Sequence, residues 1–187
     1  MQIQINLDKY LYSYFSQYKG LLKFLLRFSM FFLVFILVQW LMLSTSIMDS
    51  LLNTYARLIR FILLFLGFQV QVSGNIVFQP DGFAILISPQ CLAVTHTLAI
   101  VAAILAYKAA IHYKIAAISI SIFIVQMINI FRMVTVYSIG IYHREWFDLV
   151  HDIIWKPAMI ILIIIILLLV LNKAHKKRSH FNYRSCK

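Results

Sequence analysis

Charge is what this chain has least of. Charged residues fill 12% of its 187 positions, against about 25% in an ordinary soluble domain. Only six are acids, beside 17 lysines and arginines. With 63% apolar residues and a mean hydropathy of +0.88, there is too little polar surface to clothe a soluble domain of this size. The same shortage excludes disorder. Glycine is scarce, five in all, and no glycine-rich phosphate loop occurs, so the usual nucleotide signatures are missing. The two cysteines, Cys91 and Cys186, lie far apart in unlike surroundings, which argues against a disulfide framework. There is no CxxC, no HExxH and no internal repeat. A net charge of +11 and a pI near 9.8 would suit a nucleic-acid binder, but not on so apolar a background. What is left is an α-helical integral membrane protein, a single membrane domain over 1-187, with the lipid bilayer as a partner and no nucleic acid.

The apolar runs suggest about four transmembrane helices, at 24-43, 89-107, 115-137 and 153-172, each close to the ~20 residues a bilayer requires. A cleaved signal peptide fits the first run poorly, because the run is too long and no small-residue cleavage site follows. Between the first two spans the pattern changes twice. Over 47-67, Asp49, Asn53, Arg57 and Arg60 share one stripe of a helix whose other faces are apolar, which reads as an interfacial amphipathic helix. Over 68-87, Val70 and Val72 alternate with Gln69, Gln71 and Ser73, and Ser73-Gly74-Asn75 and Pro80-Asp81-Gly82 are turn signals. A small β-meander is expected there. Its open edges exclude it from hydrocarbon. Ser88 and Pro89 are suited to cap and start the second span. Pro157 falls near the start of the fourth, or kinks it.

The basic residues give the chain a direction. The N-terminal segment 1-23, the 108–114 turn and the tail 173-187 are all basic, and the positive-inside rule places all three in the cytoplasm. With Arg27, these segments hold twelve lysines and arginines and a single acid, Asp8; the other five bases and five acids cancel. The excess charge is therefore an orientation signal. Both termini face inward, and 44–91 and 138–152 face outward. Arg132, inside the third span, is the cation that topology leaves unexplained.

Three polar features then fall at the outer ends of different spans. Cys91 is expected in the first turn of the second span, where positive partial charge favours a thiolate. Arg132 stands ~26 Å along the third span from Ile115, near its outer boundary. His151 precedes the fourth. Each has a plain alternative: an inert buried thiol, an arginine that snorkels to headgroups, a structural histidine. Asn129 shares a face with Arg132 and can orient it or bond a neighbouring helix. His143 competes with His151, and His96 follows Cys91 by five positions. Together a thiol, an imidazole and a guanidinium supply nucleophile, proton carrier and oxyanion cation for acyl transfer. Cys91 and His96 alone are too few for a metal site, and no cofactor is called for.

The order SPQCLAV, then Asn129-Ile130-Phe131-Arg132, then FDLVHDIIW resembles the exosortase/archaeosortase family of prokaryotic membrane cysteine transpeptidases, over about residues 47–172. Two departures stand out. Leu92-Ala93 replaces the small Ser-Gly pair common after the family's cysteine, and many members have about eight spans, so this chain is similar to a short, core-only version. The resemblance implies a cytoplasmic-membrane enzyme of a prokaryote with its site facing outward. It implies a secreted, membrane-anchored protein substrate ending in a short motif, a helix and a basic cluster. It implies Cys91 as nucleophile, Arg132 as cation, and His151 rather than His143 for proton transfer. An edge of the meander would suit an extended substrate segment, with proline at Val70 and Val72 expected to disturb it. The competing class is a non-enzymatic subunit or scaffold of an export or exopolysaccharide system, in which Cys91 is inert. A transporter fits less well, for want of paired broken helices.

Overall fold

The structure is a computed structural model that describes residues 2–43, 45–80 and 82–185, with side chains described from Tyr18 to Ala174. Cys186 lies outside the described residues. Five α-helices carry the chain: α1 (Gln2–Met42), α2 (Ser46–Phe65), α3 (Val94–Ala106), α4 (Ile111–Tyr142) and α5 (Trp155–Ser185). Three segments are long and apolar enough to cross a membrane: Tyr18–Met42 of α1, all of α4, and Arg144–Ala174, which includes most of α5. Their outward faces are crowded with exposed leucine, isoleucine and phenylalanine, as lipid contact requires.

The fourth expected span is represented by a shorter helix. α3 has 13 residues, roughly 20 Å at 1.5 Å per residue, and does not by itself meet the length of a bilayer. The helix does not start at Pro89. Pro89–Leu92 forms a 3-10 turn, and Ala93 then adopts a left-handed conformation, φ 51° and ψ 26°, before α3 begins. A left-handed residue cannot continue a right-handed helix, so the apolar run is broken where composition alone showed no break. Within the bundle α3 is central, packed against α1, α4 and α5. Ala102, Ala103 and Ala106 are buried on it, and small side chains of this kind let helix backbones approach closely. Tyr113 donates to the Val170 carbonyl at 2.6 Å and Lys114 to the Leu105 carbonyl at 2.8 Å, which ties the α3–α4 turn to α5.

The expected meander is present as β1 (Gln71–Ser73), β2 (Ile76–Phe78) and β3 (Ala84–Leu86), antiparallel in the order β1-β2-β3. Gly74, with φ 59°, occupies the first central position of the two-residue β1–β2 loop, where a type II′ turn needs a positive φ. α2 is amphipathic. Its Leu52, Ala56, Ile59 and Leu63 join Val77, Ile85 and Ile87 of the sheet, and Met133 and Tyr137 of α4, in one core. Arg60 Nε reaches the Val70 carbonyl at 3.4 Å. A second core lies in the bundle around Ile100, Ile104, Val125, Met159 and Ile166.

The segment from His143 to Asp152, between the third and fourth expected spans, is largely helical. A 3-10 turn covers Arg144–Trp146, and a π-helix covers Leu149–Ile154. Pro157 explains the widened turns just upstream. It has no N–H for the carbonyl of Ile153, and its ring crowds that carbonyl in a regular α-helix.

Two positions probe these constraints. A Cβ added at Gly140 would lie 2.3 Å from two ring atoms of Phe83, and Phe83 is wedged against Tyr137 and Phe147. Gly140→Ala should therefore lower stability by about 1–3 kcal/mol. At Ala93 the left-handed strain of about 1–2 kcal/mol offsets what glycine loses in entropy and buried methyl. Ala93→Gly should stay within about 1 kcal/mol of the parent, while the β-branched Ala93→Val should lose about 1–3 kcal/mol. Thermal denaturation in detergent reads all three, and an Ala93→Val variant as stable as the parent would contradict the strain.

Candidate functional site

Between β3 and α3 the chain makes a tight corner. Ile87 N–H donates to the Asn75 carbonyl at 2.9 Å, and the Asn75 amide donates back to the Ile87 carbonyl at 3.0 Å. The 3-10 turn then closes with Cys91 N–H on the Ser88 carbonyl at 2.9 Å, and the Ser88 hydroxyl lies 3.5 Å from Cys91 Sγ. Cys91 is half-buried. It sits in this corner and not in the first turn of an α-helix, so the expected dipole of α3 begins beyond it.

The corner leaves carbonyls that α3 cannot satisfy, because the left-handed Ala93 interrupts the ladder. α4 supplies the donors. Asn129 Nδ2 donates to the Cys91 carbonyl at 2.7 Å, and Gln126 Nε2 to the Leu92 carbonyl at 3.2 Å. The same Asn129 amide also donates to the Tyr55 hydroxyl of α2 at 2.7 Å, and its oxygen accepts from Arg132 Nη1 at 3.4 Å. Asn129 is fully buried, and Arg132 is 7% exposed. Arg132 therefore points into the protein instead of snorkelling outward. Its Nε has no hydrogen-bond partner among the described residues.

His151 is held from two sides. Its ring stacks on Phe147, with the planes 2° from parallel and centroids 5.7 Å apart. Its Nδ1 lies 2.8 Å from Asp152 Oδ1, and that oxygen also meets Lys156 Nζ at 2.7 Å. An ionised carboxylate only accepts, so the Nδ1 of His151 donates to Asp152. The side chain is 31% exposed.

Cys91 and His151 line one cavity of about 290 Å³, bounded by β3, Ser88, Met133 and Val136 of α4, and Phe147. Arg132 and Asn129 do not line it; Asn129 meets Cys91 through its carbonyl, and Arg132 stands behind Asn129. His143 caps the end of α4, exposed, and His96 lies on α3; neither lines this cavity. Among the described residues no group of three His, Cys, Asp or Glu converges to hold a metal ion. Asp152 was missed as a partner of His151, although its place next to the histidine and four residues before Lys156 was a readable signal. Tyr55 had none: it meets Asn129 only because α2 folds across α4. Burial pushes the Tyr55 phenol up to about 12, against smaller downward pulls from the Asn129 hydrogen bond and Arg132.

No protein-family model, curated protein or solved structure matches this chain.

Asn129→Ala removes the donor to two oxygens and leaves Arg132 with no acceptor. It should cost about 2–4 kcal/mol, read by chemical denaturation in detergent; a loss below about 1 kcal/mol would show the network to be slack. A phenol pKa raised from 10.0 to about 12 favours the neutral form in the folded state. Its contribution is complete below pH 10 and lost as pH rises toward 12. The difference in tyrosinate absorbance between the parent and Tyr55→Phe should accordingly titrate near pH 12; a midpoint near 10 would contradict the burial.

Proposed function

We propose that this protein is a membrane cysteine peptidase or transpeptidase of the exosortase/archaeosortase kind, processing secreted proteins at a C-terminal sorting signal on the outer face of a prokaryotic cytoplasmic membrane. The observation that carries the reading is the shared cavity. A thiol and an imidazole from turns separated by α3 and α4 line one space, and the Nδ1 of the imidazole is fixed by a carboxylate. That is the division of labour of nucleophile, base and orienting acid. The Cys91, NxxR and His151 order of the sequence supports it independently.

In the proposed reaction His151 Nε2 takes the Cys91 thiol proton as sulfur adds to a peptide carbonyl. The tetrahedral intermediate collapses to a thioester, and His151 returns the proton to the leaving amine. Water or an acceptor amine then releases the acyl group from sulfur. Arg132 supplies positive charge behind the Cys91 corner. Because it acts through Asn129 and does not line the cavity, a positioning role fits its geometry better than direct contact. The topology belongs to the same proposal: α3, extended by its 3-10 turn, serves as the fourth crossing, both basic ends lie inside, and the site faces out.

The test is covalent trapping. A co-expressed secreted protein with a C-terminal helix and basic cluster should form a hydroxylamine-sensitive adduct with Cys91. Cys91→Ala and His151→Ala should abolish the adduct, and Asp152→Asn should slow its formation roughly 10–100-fold by loosening the imidazole. If Cys91→Ala retains processing, the chain is a non-enzymatic subunit instead.

A further inference from the structure

The register of the meander leaves one edge open beside Cys91. Gln79 N–H bonds the Phe83 carbonyl, and Ile87 N–H bonds the Asn75 carbonyl; between these pairs Val77 faces Ile85. In an antiparallel ladder hydrogen-bonded pairs alternate with unbonded ones. Phe83, Ile85 and Ile87 therefore direct their backbone groups at β2, and Ala84 and Leu86 direct theirs the other way. β3 is the last strand of the sheet. Among the described residues no backbone hydrogen bond outside the sheet reaches Ala84 or Leu86. Both are exposed, and both line the cavity that holds Cys91 and His151.

Two N–H and two C=O groups thus stand unpaired along the cavity wall, next to helices whose outer faces are lipid-like. Unpaired backbone at such a boundary calls for a partner. From these positions we infer that the substrate is bound as an added β-strand on the free edge of β3, its backbone pairing with Ala84 and Leu86 and its scissile carbonyl delivered to Cys91. The substrate class is an extended peptide segment, read first by its main chain and then by side chains that alternate between the cavity and solvent. β1, where Val70 and Val72 had suggested an edge, is the wrong side: it packs on α2 and takes no part in the cavity. This inference rests on the peptidase reading.

The experiment uses the purified full chain in detergent and four probes: iodoacetamide, a bare vinyl sulfone, a hexapeptide vinyl sulfone library, and the same library N-methylated at alternate residues in either of two registers. The library should modify Cys91 at least tenfold faster than the bare vinyl sulfone. One N-methyl register should abolish that gain while the other keeps it, because only alternate amides face the edge. Leu86→Pro, which removes an outward N–H and leaves the inward pairs alone, should also lose the gain with unchanged iodoacetamide labelling. Should the proline variant fail to fold, the N-methyl comparison on the parent decides. A Cys91 that takes iodoacetamide but shows no gain from the library, or equal rates in both registers, overturns strand addition and leaves the peptidase reading standing. A Cys91 inert to every probe overturns the peptidase reading, and strand addition with it.

Discussion

The amide of Asn129 is the joint on which the sheet-bearing half of this molecule turns. A chain that leaves a sheet, makes one 3-10 turn and enters a helix through a left-handed residue exposes carbonyls that regular structure cannot satisfy. In water this would be a minor defect. Buried away from water, each orphan costs about 1–3 kcal/mol. Asn129 and Gln126, one turn apart on α4, close that gap by donating to the Cys91 and Leu92 carbonyls. The second hydrogen of Asn129 goes to Tyr55, so one side chain fixes the corner, α2 and α4 relative to one another. The placement of Cys91 is a consequence of this bond.

A second series of contacts brings the histidine to the same place. Tyr137, Phe83, Phe147 and His151 follow one another ring to ring, from the core of the sheet to the π-helix. Gly140 makes room for Phe83, and Pro157 shapes the turn on which His151 and Asp152 stand. The two halves of the site are thus held by different physics, a hydrogen-bonded amide on one side and aromatic packing on the other. Both converge on α4, which carries Asn129, Met133, Val136, Tyr137 and Gly140.

Much of this was legible in the sequence. Long uncharged runs announce membrane helices because nothing else hides so much apolar surface, and the meander was marked by alternation and by turn residues at Gly74 and Pro80. The polar stripe of α2 was visible at helical spacing. What could not be read was the break before α3. Alanine is the best helix former, so Ala93 in a left-handed conformation contradicts local propensity; tertiary donors from α4 override it. The pair Leu92-Ala93 falls where glycine would sit without strain. The long reach from Tyr55 to Asn129 was likewise invisible, since no local pattern encodes a contact between helices so distant in the chain.

Arg132 poses the sharpest energetic question. It is buried; among the described residues its Nε is unbonded and the ion pairs involve His151, Asp152 and Lys156 instead. Taking a cation out of water without an acid beside it is among the costliest choices a core can make, and a leucine or methionine would pack the same space more stably. The positive-inside bias does not require it either, since the other cations already supply that bias. In the proposed reaction its use is positional. Arg132 holds the Asn129 oxygen, and the Asn129 amide holds the Cys91 carbonyl. The cation is then a standing cost carried by the free protein to keep the Cys91 corner in one geometry.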